Sequence, residues 1–507
     1  MKKIFISAIC VLLSSNVFAQ GGPGGNPGGG GTGGGSSYAI GSTSSTGYSQ
    51  SSGTTSVSGK TYTSTGSDEN AVQVTGGTFT MSNCTVTKTG DYSASSDNTS
   101  FYGVNSAVYV GSTSATATLT MTGGTITTNA KGANAAFAYG YGVLNISNVT
   151  IRNTASLSRG IHATGGGTIV ASNLDIVTEG SNSSVVATDR GGGTVTVNGG
   201  SYVTTGTDCA VLYSTGTISA TGATGSSSKG EVGVIEGDNT INITDCKFTS
   251  GSSSRGLMIL QSGSGDSEGY NGAINITGST ITLTDDSAPL CEIPTNITGT
   301  LTLDNTSLTV PSGVLMYVDY NTRWSTYGGT GNLVLKNGNY TGAVNADQYG
   351  TATVSVASTA TWTGAMDHSD VAKSTSVTVN GTWILNADSN VDKLVIGEGA
   401  TVYTNGYNLS YASITNNGTL DTTSTSVTGI KGISTDAAPI DNGAVYNLNG
   451  VKVADSEAAL SGLASGIYIV NGKKIAVNNL ITSFSKRYLL YNMLCCYSDF
   501  IPSKRQL

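Results

Sequence analysis

The sequence predicts an all-β chain: a single-stranded parallel β-helix solenoid of about a dozen coils, three short strands per coil, followed by a small C-terminal β-sandwich. Three observations carry this. Short segments alternate apolar and polar residues with period two, which marks strands with one buried face. Equivalent apolar positions fall at Leu144, Ile169, Val195, Ile218, Ile241, Ile274, Leu301 and Leu333, in steps of 25, 26, 23, 23, 33, 27 and 32 residues. Such periods belong to solenoids, and the shorter ones leave no room for a four-stranded propeller blade. Finally, 71 of the 507 residues are Gly and only 11% are charged, against a usual charged share of about 25%, a composition unsuited to long helices or coiled coils.

The chain begins with Lys2 and Lys3, an apolar run from Ile4 to Leu13 and a small-residue site at Val17-Phe18-Ala19. This is the pattern of a removable export signal, and the apolar run is too short to span a bilayer. Cys10 follows Ile9 rather than a small residue, so a lipid anchor is not expected. Residues 20–37 are almost wholly Gly and form a flexible linker with nothing to bury.

Residues 38–420 form the expected rod. Within each repeat two alternating segments flank a polar corner, as in Thr78–Val86, Val143–Ile151, Thr168–Ile176 and Thr240–Phe248. A third piece opens on a small residue: Ala107–Val110, Gly160–Ala163, Cys209–Tyr213 and Gly256–Ile259. The corner pairs Ser82-Asn83, Ser147-Asn148 and Ser172-Asn173 tolerate left-handed backbone and suit side-chain amide ladders. The two long steps imply outward loops, the clearest being Ser262–Gly269, since insertions in a solenoid leave along its surface. Cys84, Cys209, Cys246 and Cys291 lie in the rod. Cys84 and Cys246 share a repeat position several coils apart, too far to bridge, and all four are expected as buried thiols.

Residues 421–438 read as a linker and 439–478 as a separate unit. That unit contains Tyr446, Asn447, Leu448, Asn449 and Gly450, then Gly466, Ile467, Tyr468, Ile469 and Val470, then Asn471, Gly472 and two lysines before a last apolar strand. In order and spacing it resembles the C-terminal sorting domain of the type IX secretion system of Bacteroidota, over about a tenth of the chain. The resemblance implies export across the outer membrane and release or attachment at the cell surface, with the secretion machinery as partner. The chain departs from the family in continuing through a Gly-free tail, 479–507, past the final strand. The rod itself resembles right-handed parallel β-helix proteins of the pectin-lyase-like kind, many of which are polysaccharide lyases or glycoside hydrolases.

Chemistry is harder to find. A net charge of −8 without basic blocks excludes a phosphate-tracking nucleic-acid surface. Glycoside hydrolysis needs two carboxylates about 5 to 9.5 Å apart. The candidates are Asp285-Asp286, Asp245, Asp175, Asp189-Arg190 and Asp319, of which Asp285-Asp286 also reads as a polar turn. The G-H-G, R-x-K and W-x-D-H patterns of the pectin-active families do not occur in the chain, and His162 and His368 are its two histidines. Trp324, Tyr327, Trp362, Trp383, Tyr403 and Tyr407 either stack on sugar rings or pack the last coils. The reading is a secreted or outer-membrane-surface protein, an adhesin or structural binding module without catalysis, cofactor or metal, and without a transmembrane segment in the mature rod. Its expected partners are host or environmental glycans or proteins. The alternative is a carbohydrate-active enzyme or glycan binder on the same rod. A lateral groove joining Asp285, Asp286 and Arg255 favours the enzyme, a smooth Thr/Asn side favours adhesion, and an ice-binding surface requires an unbroken Thr ladder.

Overall fold

The computed structural model describes residues 41–93, 95–321, 327–423, 443–447, 452–463, 466–470 and 473–477. The export signal, the Gly-rich linker, most of 421–438 and the 479–507 tail lie outside the described residues. The chain divides into two units, 1–426 and 427–507.

Unit one is a parallel β-solenoid of about 13 turns. Each full turn contributes strands to three faces. Face A includes Gly193–Asn198, Thr217–Thr221, Thr240–Thr244 and Asn271–Thr277. Face B includes Ser201–Thr204, Thr224–Ser227, Lys247–Ser250 and Thr280–Leu283. Face C includes Val186–Thr188, Leu212–Ser214, Gly233–Glu236 and Leu257–Leu260.

The eight apolar positions read from the sequence are consecutive partners in one unbroken register on face A. All are fully buried, and each such Ile or Leu contributes roughly 1.5 to 3 kcal/mol by leaving water. A parallel column one residue pair further along runs Met121, Ile146, Ala171, Val197, Ala220, Ile243, Ile276, Leu303. Alternation puts the intervening Thr, Ser and Asn outside.

The corners between faces A and B are left-handed, as the Ser-Asn pairs require: φ is 51° at Asn83, 55° at Asn148 and 50° at Asn173. Asn tolerates this backbone because its short side chain bonds locally. In neighbouring turns the same corner is glycine for a second reason. A Cβ on Gly123 would lie 2.4 Å from Asn83 Oδ1, and one on Gly278 would lie 2.4 Å from Asp245 Oδ1. The corner side chains thus lean over glycines, and the amide ladder appears on face A, where Asn275 Nδ2 donates to Asn242 Oδ1 at 3.1 Å and Asn242 Nδ2 to Ser219 Oγ at 3.3 Å.

Face B carries an internal polar column that alternation alone does not reveal: Ser64, Lys88, Thr128, Asn153, Thr178, Thr204, Ser227 and Ser250, all buried. Several of these side chains satisfy carbonyls where the chain turns toward face C. Asn153 Nδ2 donates to Ser158 O at 3.0 Å, Thr178 Oγ1 to Ser183 O at 2.6 Å and Ser250 Oγ to Gly230 O at 2.8 Å. Lys88 Nζ donates to Gly66 O at 2.7 Å and Gly90 O at 2.5 Å, and burial lowers its pKa to about 8.

Faces A and C run on past residue 310, but face B is interrupted. Ser307–Thr309 ends one ladder, and a separate five-stranded ladder starts at Gly338–Thr341. In that second ladder Tyr340, Trp362, Trp383 and Val402 are successive register partners pointing inward. The indoles of Trp362 and Trp383 stack with centroids 4.9 Å apart and planes 9° off parallel, and donate to Gly342 O at 2.8 Å and Gly364 O at 2.9 Å. Both are fully buried, so neither is a sugar platform. The four rod cysteines are buried free thiols.

In unit two the described strands form one four-stranded antiparallel sheet, with Val445–Asn447 between Lys452–Ala454 and Gly466–Val470, and Lys473–Val477 on the far side of the latter. Val470 pairs with Lys473, the register a two-residue Asn-Gly hairpin predicts. Leu448, Asn449, Gly450, Asn471 and Gly472 lie outside the described residues.

Replacing Trp362 by Ala should destabilise the C-terminal turns by about 3 to 5 kcal/mol while leaving carbohydrate binding unchanged. Hydrogen exchange across 338–421 reads the first effect and a binding isotherm the second.

Candidate functional site

The outward side of face C is the covered side of the rod. Its central column runs Tyr109, Phe137, His162, Ala187, Tyr213, Val234, Met258, Glu292, Tyr317 in register. Residues that alternation would send into water are instead large or apolar, and Tyr109, Phe137 and His162 are buried.

Two insertions cover this column. The first carries helix α1, Ser96–Tyr102, opened by Ser95, whose side chain accepts from Asn98 N, and closed by Gly103 at φ 70°. It is pinned by Thr164 Oγ1 donating to Phe101 O at 2.7 Å, Asn134 Nδ2 to Thr99 O at 3.0 Å and Arg159 Nη1 to Ser100 Oγ at 3.1 Å. The second is the Ser262–Gly269 loop that the long step predicted. Ser262 and Ser264 donate to Glu236 Oε1, Tyr213 OH donates to Glu236 Oε2 at 3.1 Å, and Ser267 Oγ donates to Glu236 O at 2.6 Å. Arg190 joins the two covers. Its guanidinium lies 3.9 Å from the Phe101 ring centroid, and its Nε and Nη2 reach Asp266 Oδ1 at 3.0 and 2.7 Å.

Two groups of ionisable side chains lie along this face, the first of them tied to α1 through Arg159. In the first, Arg159 Nη2 is 3.3 Å from Asp189 Oδ2, and His162 Nε2 is 3.9 Å from the same oxygen. Burial raises the Asp189 pKa to about 6 against the pull of Arg159. Burial, and then Arg159, hold His162 well below its usual range, so it is neutral, edge-on to Phe137 at 4.8 Å. In the second group Arg255 Nε lies 2.7 Å from Glu292 Oε2 and 3.6 Å from Glu231 Oε1. Glu292 and Asp319 interact with each other, and both are held above the ordinary carboxylate range, first by burial. Asp347 adds repulsion at Asp319 and itself accepts from the backbone N–H groups of Tyr320, Tyr349 and Gly350.

The residues expected at a site are therefore dispersed. Asp286 is exposed and Asp285 half-buried, and Asp285 accepts from the Ser287 amide and hydroxyl; the pair is a polar turn. Arg255 does not join them, because Glu231 and Glu292 on adjacent turns of face C are nearer and less solvated. Tyr327 is 68% exposed, Trp324 lies outside the described residues, and Trp362 and Trp383 are core. Glu292, Glu236 and Tyr213 are not among the site candidates the sequence offers. Their signal lies in the third repeated piece, where His162, Tyr213 and Met258 occupy outward positions.

Face A is the contrast. Among the described residues no long insertion crosses its outward columns, which read Thr78, Thr118, Val143, Thr168, Thr194, Thr217, Thr240, Ala273, Thr300, Asn332 and, alongside, Thr80, Thr120, Asn145, Val170, Thr196, Ser219, Asn242, Asn275, Thr302, Val334. The stretch is uncharged. Val143, Ala273 and Asn332 break the Thr column, so the unbroken ladder required of an ice-binding surface is not there.

Among the described residues no three His, Cys, Asp or Glu side chains converge to hold a metal ion, and no helix is long and apolar enough to cross a membrane. Comparison of the chain with family models, with curated proteins and with solved structures returns no match.

Burial favours the protonated form of Glu292 in the folded state, so its contribution is full below the unfolded carboxyl value and is lost as pH rises through the folded one. Unfolding midpoints should fall between about pH 4.5 and 7, and Glu292→Gln should flatten that fall; urea titrations across this range measure it.

Proposed function

We propose that the protein is an exported, non-catalytic binding module whose rod presents face A to glycans or proteins outside the cell. The observation that carries this reading is the uncharged, unobstructed hydroxyl and amide surface repeated over many successive turns of face A. Side chains held in a flat parallel ladder lose little freedom on binding, which favours an extended partner. The arginines of face C are engaged with carboxylates, and Arg159 and Arg190 also brace the insertions. The export pattern of residues 1–19 and the sorting-domain resemblance of 439–478 support delivery to the outer-membrane surface or beyond, and the rod's solenoid character agrees with a β-helix of the pectin-lyase-like kind.

A second reading has its own observation. Glu292 and Asp319, both held above the ordinary carboxylate range by burial, sit with Arg255 on adjacent turns of face C, and clusters of perturbed ionisable groups are common at functional sites. This reading makes the rod a carbohydrate-active enzyme.

Charge placed on face A separates the two readings. The double variant Thr196→Lys, Asn242→Lys should weaken adhesion to a polysaccharide or cell-surface array at least tenfold, and wild-type protein should release neither new reducing ends nor unsaturated products from the same polysaccharides. Turnover that disappears in Glu292→Gln would establish the enzyme instead. Removal of 439–478 should leave the protein inside the cell envelope, which surface protease digestion of intact cells detects.

A further inference from the structure

Where face C turns into face A, four successive turns line a cleft of about 660 Å³. Its polar walls are Arg190, Thr215, Asp238, Asn239, Asp266 and Glu268, and glycine backbone at 191, 192, 265 and 269 forms much of the remainder. We propose that this cleft binds a neutral polysaccharide chain lying along the rod axis, an inference that rests on the binding-module reading and gives it a ligand class and a place.

Four observations argue for it. Thr215 is only 3% exposed, and its Oγ1 makes no hydrogen bond. A buried hydroxyl without a partner costs free energy; Thr215 lines the cleft, and on our proposal its Oγ1, enclosed in the folded chain, turns toward the cleft to take a ligand hydroxyl as its partner. The polar walls are already fixed: Arg190 is held between Phe101 and Asp266, Asn239 Nδ2 donates to Ser267 Oγ at 2.7 Å, and Asp238 N donates to Glu268 O at 2.8 Å. Such pre-organisation removes much of the ordering cost of binding. Gly192 and Gly265 keep the wall low, with nothing within 4 Å of a Cβ at Gly265 and only a carbonyl oxygen and one Cα near a Cβ at Gly192, while Gly269 packs against Asp238, so a sugar ring can approach backbone directly at the first two. Turns of a parallel ladder repeat every ~4.8 Å, a spacing near the length of one pyranose ring, so successive turns offer polar groups to successive residues of one chain.

Charge sets the class. Three carboxylates, of Asp238, Asp266 and Glu268, face one guanidinium, that of Arg190. The cleft therefore repels polyuronates and suits hydroxyl-bearing neutral chains.

Isothermal titration calorimetry on the full chain tests this with cellohexaose, xylohexaose, mannohexaose and maltohexaose against hexagalacturonate. At least one neutral hexasaccharide should bind and hexagalacturonate should not. Thr215→Val should weaken binding about fivefold, the scale of one lost hydrogen bond, with an unchanged or higher melting temperature. Asp238→Asn should weaken the neutral ligand less than fivefold and admit hexagalacturonate. Silence from all four neutral ligands, preference for hexagalacturonate, or affinity indifferent to Thr215→Val would each overturn the proposal. Affinity lost in Thr196→Lys, Asn242→Lys but kept in Thr215→Val would overturn the cleft and leave the face A reading standing. Turnover of a neutral ligand with affinity still sensitive to Thr215→Val would keep the cleft and remove the non-catalytic reading.

Discussion

Each turn of the rod is held by the turn before it through the same side chain in the same register. At Ile218, for instance, the partners are Val195 on one side and Ile241 on the other, and backbone bonds run between the same rungs. A single turn buries nothing by itself, so its ordering entropy is offset only once neighbours stack. Everything else follows from keeping that register. Corners must be left-handed and compact, inward polar residues must find carbonyls, and extra chain must leave sideways. The buried Lys88 shows how strict this is: its ammonium stays inside because two carbonyls receive it, and burial has drawn its pKa down.

The fold was legible in the sequence because this constraint writes itself at fixed intervals. Leu144 through Leu333 could be aligned by eye, and the corner asparagines carry their backbone conformation in their chemistry. The candidate site was less legible. Glu292 and Asp319 lie 27 residues apart in sequence and meet only because face C places their turns side by side. Asp285 and Asp286 stood out because they are adjacent in sequence, which in a solenoid puts residues on one turn rather than on neighbouring ones. For Trp362 and Trp383 the sequence leaves open sugar stacking or packing of the last coils, because an alternating strand does not say which face an indole takes; here they replace aliphatic stacking where face B resumes. The covering of face C was visible only as an excess of large side chains at outward positions such as Tyr109, His162 and Met258.

The two outward sides of the rod consequently have different chemistry. Face A is bare, flat and uncharged, and its polar groups bond along the ladder or face water. Face C is roofed by α1 and by Ser262–Gly269, with Arg190 tying one to the other through Phe101 and Asp266. Low local dielectric strengthens such pairs and makes an unpaired group expensive, which accounts for the close matching of Arg159 with Asp189 and of Arg255 with Glu292. The cleft at the C-to-A corner lies at the border of these two regimes, with braced walls on one side and open sheet on the other.

The interruption of face B gives the rod a mechanical character. Hydrogen bonds between turns run along its axis, so axial tension loads them directly. Over most of the length three ladders share that load. Between Ser307–Thr309 and Gly338–Thr341 only faces A and C continue, and the same tension falls on two. One turn further on, face C itself thins to the single bridge between Val344 and Met366, so a molecule anchored near one end and gripped near the other would part within this region, yielding two shorter solenoids, each with its own stacked core.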